Sequence, residues 1–470
     1  MKFPIPQPRS LIGRIVFWGM LAFVVLLAGG FLWVRAWLGS YLESEAFRQW
    51  LGGMTSRQLQ AKCEYEPFHF SGLTVRADGF KAQGTEKAAF STLELEKIRT
   101  GLNLQGLWNK TLQIDDVTID RFQISLGHTG APPVPESEIG AIPEKQNSTS
   151  SSPSWLSPKL DLRQVVVKEA TLLWGEKTPQ EGSVAKTEIT VKPDGDAWNI
   201  GLKGGTVSQH GQPPLDLDHL DVHFQSPIAD IPDGLLKFPA GGDIGITGQV
   251  NTEKSLEVHV KVNRVSVTPF LPPSVQSRLR GNAFAEIKVS GPMPVEDGLV
   301  ISGQSHLENA EITQVPILDL IGKIIHSPQF ANVKLDTASA DFTYANEKVT
   351  VTNLVVEKKG FLCIKGRFVV YNSQIDGHFQ LGIAHNLLIP ILESMIFTHD
   401  EGGYRWAPMN VTGPLSSPSN DLVQHIISNP QLLSLAGSAV GDIIKNAPKI
   451  EDSTKKVIQG AQGLFNQLHK

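Results

Sequence analysis

The sequence predicts a mainly β protein, in which one N-terminal transmembrane helix precedes an antiparallel sheet and a few amphipathic helices. Three observations lead to this fold class. Residues 15–34 form an apolar run without a charge. From about residue 62 onward, most of the chain consists of short runs in which apolar and polar residues alternate, with Gly, Pro, Asn or Asp near their ends. Only three later stretches space their apolar residues as a helix does.

The composition favours a folded, turn-rich chain. Of the 470 residues, 43 are glycine and 30 are proline, and 41% are hydrophobic, which excludes an acidic disordered protein. The net charge of −5 provides no basic character for binding nucleic acid. The two cysteines, Cys63 and Cys363, exclude a disulfide scaffold and a four-cysteine metal site. A single disulfide between these two cysteines is the alternative, and two inert thiols are the preferred interpretation.

The apolar run at residues 15–34 is long enough to cross a bilayer, because 20 residues at about 1.5 Å each cover its ~30 Å core. Arg14 is the last of the basic residues that precede the run, and the first acidic residue, Glu43, follows it. Trp18 and Trp33 lie near the two ends, where interfacial aromatics are expected. We therefore expect a membrane anchor with a cytoplasmic N-terminus, and the bulk of the chain on the other side. A cleaved signal peptide is the alternative.

The pattern divides the chain into eight segments. Helical spacing follows the anchor, although Gly52 and Gly53 interrupt it, and a Pro/Ser-rich stretch separates two regions with strand periodicity. The predicted segments are a cytoplasmic tail (1–14), a transmembrane helix (15–34), a juxtamembrane helix (35–61), an N-terminal β region (62–126), a flexible linker or insertion (127–158), a central β region (159–306), a C-terminal β region (307–420) and a helical tail (421–470).

Alternation is clearest in residues 256–263 and 348–352, where every second residue is apolar. Strands of this kind form an antiparallel sheet with one apolar face and one face in water. The residues alone are compatible with two ways of covering the apolar face. One is a closed sandwich or barrel, and the other is a continuous sheet whose apolar face lines a groove. The helical stretches expected beside this sheet are 315–326, 386–397 and 421–468.

No catalytic motif is found in the sequence, so we expect neither an enzyme nor a cofactor. The best cluster of metal-ligand types is His219, Asp221 and His223, which would share one face of a strand. The opposite face of that strand is apolar, and for this reason a polar face in water is the preferred interpretation. No metal site is expected.

The order of elements resembles the AsmA family of bacterial envelope proteins. The resemblance rests on the N-terminal anchor, on residues 41–51, on residues 307–366 with their strand, amphipathic helix and two further strands, and on the Gly-Pro-Leu-x-x-Pro sequence at 413–418. No single motif is diagnostic, and the matching segments contain no catalytic residue. The resemblance implies a long, curved β-sheet with an apolar groove, fixed to the bacterial inner membrane and extending into the periplasm.

This resemblance implies a role in phospholipid transport or outer-membrane homeostasis, with a phospholipid or another acyl-chain lipid as ligand. The residues that alternation places on the apolar face are the candidates for lining the groove, and each could equally belong to an ordinary core. They are Val258, Val260, Val262, Ile287, Val289, Val349, Val351, Leu362 and Ile364. The alternative is an envelope scaffold with a closed β core, whose C-terminal helix binds a protein partner.

Overall fold

The computed structural model describes residues 44–71, 74–103, 111–127, 132–135, 159–178, 181–271, 276–293, 298–415 and 418–428. The chain forms two compact units. The first comprises residues 1–124 and 131–163, and the second comprises residues 125–130 and 164–470.

The first unit combines one helix with a small sheet. Its elements are α1 (Glu45–Leu59), β1 (Ala61–Tyr65), β2 (Phe68–Ser71), β3 (Thr74–Gly84), β4 (Phe90–Asn103), β5 (Thr111–Ile114), β6 (Val117–Leu126) and β7 (Lys159–Leu162). The helix continues through Gly52, where the predicted helix was interrupted. A Cβ at Gly52 would lie 3.1 Å from the carbonyl oxygen of Cys63, so glycine allows α1 to approach β1 closely. β3 pairs antiparallel with β1, β2 and β4, and β4 pairs antiparallel with β5, whereas β5 pairs with β7 in parallel.

The second unit contains a sheet in which each described strand pair is antiparallel. Its strands are β8 (Val165–Trp174), β9 (Gly182–Asp194), β10 (Ala197–Lys203), β11 (Thr206–Gln209), β12 (Leu215–Gln225), β13 (Ile228–Lys237), β14 (Asp243–Asn251), β15 (Ser255–Ser266), β16 (Leu279–Pro292), β17 (Val300–Thr313), β18 (Asn332–Lys334), β19 (Thr337–Ala345), β20 (Lys348–Lys358), β21 (Leu362–Tyr371), β22 (Gln374–Ala384), β23 (His399–Glu401), β24 (Tyr404–Pro414) and β25 (Ser419–Asn420).

Strands that follow one another along the chain mostly pair with one another, because short turns reverse the chain. Asn346 and Glu347 both have positive φ, of 50° and 59°, and connect β19 to β20 by a two-residue turn. Asn372 and Ser373 connect β21 to β22 in the same way, with φ of 48° and 60°. Two successive positive φ values are the mark of a type I′ turn, whose twist matches that of the flanking strands.

Three helices cover one end of the apolar face of this sheet. They are α2 (Pro316–Ile324), α3 (Pro390–Met395) and α4 (Asp421–Ser428). Together with strands β21, β22 and β24 they enclose the largest buried cluster of the second unit, which includes Leu318, Ile321, Leu381, Leu392 and Ile426.

The predicted mainly β character with few helices is confirmed for the described residues, but the sheet is mixed, because β5 pairs with β7 in parallel. The expected transmembrane helix lies outside them, as do nearly all of segment 127–158 and most of the tail after residue 428. Among the described residues, no helix is long and apolar enough to span a bilayer. The predicted segment boundaries stay predictions.

Candidate functional site

The register of the second unit places the sequence-predicted apolar residues on one face of the sheet. In an antiparallel pair, residues directly opposite one another project to the same side. One continuous row of such partners crosses the sheet from β14 to β24. This central row consists of Ile246, Val260, Ile287, Gly303, Phe342, Val351, Phe368, Gly377 and Val411.

A second row runs beside the central row on the same face. It consists of Gly248, Val258, Val289, Ile301, Tyr344, Val349, Val370, Ile375 and Gly413. Neither row contains a charged residue. Val262, which is opposite Ile244 and Ala285, extends the same face on the other side of the central row. The two rows and Val262 thus bring together seven of the nine candidate lining residues.

The other two candidates, Leu362 and Ile364, lie on the same face but at its helix-covered end. Leu362 is opposite Ile383, is fully buried and belongs to the cluster enclosed by the three helices. Ile364 is opposite Leu381 and packs against that cluster. Leu362 is therefore part of a closed core and does not face an open groove.

The remaining candidates are buried to a smaller extent. Val258, Val260, Val262, Ile287, Val289 and Val349 are half-buried, and Val351 is 9% exposed. Among the described residues, the buried cluster beneath the helices includes none of these seven. The apolar face consequently has a covered end and a long stretch that the described helices leave open.

Glycines in these rows are overlaid by phenylalanine rings, from a neighbouring strand at Gly303 and from the same strand at Gly377. A Cβ at Gly303 would lie 3.0 Å from Cζ of Phe342, and a Cβ at Gly377 would lie 2.5 Å from Cε2 of Phe379. Such packing protects the glycine backbone and covers the sheet with aromatic surface. Phe368 and Phe379 lie beside each other with ring centroids 6.1 Å apart.

Sequence reasoning missed several members of this face, among them Ile246, Ile301 and the phenylalanines. The same alternation could have identified Ile244 and Ile246 on β14. The phenylalanines could not be assigned, because bulges shift the register near them. One bulge in β20 follows Val351 at Asn353, which has a φ of 51°.

The opposite face of the same strands is polar and charged. Lys288 donates a hydrogen bond of 2.6 Å to Glu257 across β15 and β16. This ion pair lowers the pKa of Glu257, chiefly through that hydrogen bond. The contrast between the two faces follows directly from the alternating sequence of β15.

His219, the centre of the suggested metal cluster, binds two carboxylates. Its Nδ1 lies 2.9 Å from Asp218 and its Nε2 lies 3.0 Å from Asp233. A bulge separates His223 from Asp221 in the pairing of β12 with β13, and Nδ1 of His223 lies 2.7 Å from Oδ1 of Asn199. Within the part of the chain described above, no group of three potential ligands is suited to a metal ion.

Both cysteines are unpaired and buried. Burial raises the pKa of both thiols, so they are poor nucleophiles at neutral pH. The three residues expected to flank the membrane anchor, Arg14, Trp18 and Trp33, lie outside the described residues.

No known protein family, curated protein or solved structure matches this chain.

Proposed function

We propose that the protein binds the acyl chains of phospholipids along the open stretch of its apolar face. The observation that carries this proposal is the pair of uncharged rows, which continue across the sheet beyond the end covered by the helices. An acyl chain gains about 0.8 kcal/mol for each CH₂ that leaves water, so a few carbons on such a face give a substantial affinity.

The resemblance to the AsmA family supports a more specific form of the proposal. The protein would be anchored by residues 15–34 in the bacterial inner membrane, with its β-sheet curved into a groove in the periplasm. There it would take part in phospholipid transport or in outer-membrane homeostasis. No catalytic residue is required for this role, since the sheet supplies only an apolar path.

Photo-crosslinking tests the proposal. The full chain is reconstituted in lipid nanodiscs that contain a phospholipid with a diazirine in its acyl chain, and the crosslinked peptides are identified by mass spectrometry. We expect crosslinks to peptides of β15, β16, β19 and β20. Val260→Asp combined with Val351→Asp should abolish these crosslinks, because an acyl chain that covers the central row would have to remove the hydration water of two charged side chains.

The matched control is Thr247→Asp combined with Thr343→Asp. Each of these residues is adjacent in sequence to a member of the central row but points to the polar face, and each is exposed. The control should crosslink as the wild type does. A wild-type protein that folds but gives no crosslinks on these strands would exclude the proposal.

The closed core around Leu362 favours a second candidate, an envelope scaffold that uses its C-terminal helical region to bind a protein partner. Deleting residues 429–470 separates the two functions. If the sheet binds lipid, lipid crosslinking should survive the deletion. If the protein is a scaffold, the deletion should abolish partner binding, and specific lipid crosslinks should be absent both before and after it.

A further inference from the structure

The polar face of the second unit contains a long trough that the proposed lipid function does not use. Two neighbouring clefts, of about 590 and 680 Å³, share Asn353 and lie across strands β15 to β24. Their combined lining alternates between side chains that form the walls and backbone that forms the floor. Because both clefts lie on the polar face and meet at Asn353, we refer to the pair as one trough, which runs across the strands.

Two rows of residues form the walls, and the first is interrupted at β20, where the bulge residue Asn353 joins it through a hydrogen bond to Asp341 and not as a register partner. The first wall consists of Lys261, Glu286, Gln304, Asp341, Asn353, Arg367, His378 and Asn410, and the second consists of Phe284, His306, Ser339, Val355, Lys365, Gln380 and Pro408. From Lys261 to Asn410 the first wall spans seven strand spacings of ~4.8 Å, or roughly 34 Å along the sheet.

The floor consists of the backbone of residues such as Ala285 and Ala340, whose side chains point to the apolar face, and of Gly366, which has no side chain. Their strands are paired on both sides, so their backbone groups are already hydrogen-bonded to neighbouring strands. A peptide could not add to this sheet as a further strand here. A ligand must instead be recognised by the side chains of the walls.

The second wall presents an aromatic surface beside a small residue. The rings of Phe284 and His306 are stacked, with centroids 5.0 Å apart and planes only 4° from parallel. On its other side, His306 is opposite Ser339, whose short side chain leaves space above the floor. A flat ring with an apolar face can lie against His306 at this point.

The first wall presents donors and acceptors that are held in place. Asn353 donates a hydrogen bond of 2.7 Å to Asp341, and His378 donates one of 2.8 Å to Asn410. Such amide and carboxylate groups bind hydroxyl groups, which both donate and accept. Basic and acidic residues are both present in the two walls, so the trough does not select a strongly anionic or cationic polymer.

We propose that this trough binds a linear oligosaccharide. A sugar chain combines rings that have an apolar face with hydroxyl groups along both edges, and it is long enough to contact several strands. The aromatic pair at Phe284 and His306 would hold one ring, and the amides and carboxylates of the first wall would bind the hydroxyl groups. The site lies on the opposite face of the sheet from the proposed lipid path and does not depend on it.

Saturation-transfer NMR with the full chain tests the proposal. Because many detergents carry sugar heads, the protein is kept in nanodiscs. The probes are chitohexaose and cellohexaose, their disaccharides, and an uncharged peptide of similar length. We expect saturable binding of at least one hexasaccharide, and weaker binding of its disaccharide. His306→Ala and Asn353→Ala should each weaken the hexasaccharide at least about tenfold, which corresponds to ~1.4 kcal/mol.

The matched control is His259→Ala, which removes an exposed histidine from the same face but outside both clefts. It should bind as the wild type does. Melting temperatures establish that each variant is folded, and Arg367→Ala replaces any variant that is not. Absence of saturable hexasaccharide binding, preferential binding of the peptide, or equal binding by the trough variants and the wild type would each overturn the proposal.

Discussion

At the scale of single residues, His219 shows how neighbouring carboxylates on a polar strand face favour the charged form of a histidine. Both ring nitrogens lie within hydrogen-bond distance of carboxylates, so the protonated imidazole, which carries a proton on each nitrogen, can donate to both. The hydrogen bonds to Asp218 and then to Asp233 raise the pKa of His219. The pKa of Asp218 is lowered, chiefly by its hydrogen bond from Lys237 and then by that from His219.

These shifts predict a pH dependence with a definite sign. The raised pKa of His219 stabilises the fold fully below about pH 6.5, its ordinary value, and this contribution is lost as the pH rises through the folded pKa. The lowered pKa of Asp218 contributes above about pH 3.9 and is lost as the pH falls through its folded value. The local contribution is therefore greatest between these two pH values.

An NMR titration of ¹³C-labelled histidine measures the effect. Asp233→Asn should lower the pKa of His219 relative to the wild type, because one of its two carboxylate partners becomes neutral. Asp230→Asn, on the same strand and away from His219, is the control and should leave this pKa unchanged. An unaltered His219 pKa in the Asp233 variant would contradict the geometry.

Leu362 and Val260 separate the closed end of the apolar face from its open stretch. Leu362→Ala should cost about 2–5 kcal/mol, because it leaves a cavity in a fully buried cluster. Val260→Ala removes two methyl groups from a half-buried position and should cost only about 1 kcal/mol. Urea unfolding of the full chain, followed by tryptophan fluorescence, compares them. Equal losses would mean that the face is filled along its whole length, which argues against lipid binding there.

At the scale of elements, the final strand of the sheet is protected from adding another strand. Along β24, every second residue from Tyr404 to Thr412 directs its backbone hydrogen-bonding groups to the outer edge, away from β22. At each of these positions, a feature of the structure prevents a further strand from pairing. Tyr404 and Trp406 pair with β23, Pro408 has no N–H, Asn410 donates to Asp421, and Thr412 pairs with β25. Blocked edges of this kind prevent uncontrolled pairing between sheets.

Asp421 connects this edge to α4. Its carboxylate accepts hydrogen bonds of 2.7 Å from both the backbone N–H and the side-chain amide of Asn410. Asp421→Ala should therefore destabilise the end of the sheet by about 1–3 kcal/mol. It should also speed hydrogen exchange at the Asn410 amide and promote self-association in analytical ultracentrifugation. His425→Ala, an exposed change on the same helix, is the control, and identical behaviour of the two variants would exclude a role for Asp421 at the edge.

The helices show which boundaries can be predicted from sequence. For α2, Pro316 lies in the first turn, and the helix ends at Ile324, close to the predicted 315–326. The stretch 386–397 was expected to be one helix but divides into a short 3-10 turn at His385–Leu387 and α3 from Pro390. Proline has no N–H and disfavours helical geometry in the residue before it, so the α-helix can begin only there.

At the scale of the whole second unit, alternation was sufficient to predict strands with one apolar face. It could not predict how far the rows of that face align across the sheet, since alignment depends on bulges such as that at Asn353. Nor could it show that the described helices cover the end that contains Leu362, because this cover is made by segments distant in sequence. The polar trough was not predicted at all, since its walls come from many strands.

The uncharged character of the two apolar rows leads to a last prediction about selectivity. If acyl chains bind there, no charged residue in the rows can distinguish one head group from another. Photo-crosslinking should then give yields within about twofold for phosphatidylethanolamine and phosphatidylglycerol. The yields should also be similar at ~0.1 M and ~1 M salt, although the screening length falls from ~10 to ~3 Å between them. A strong preference for the anionic lipid that high salt removes would instead indicate head-group binding to basic residues, and the lipid site would then have to be sought on the charged face.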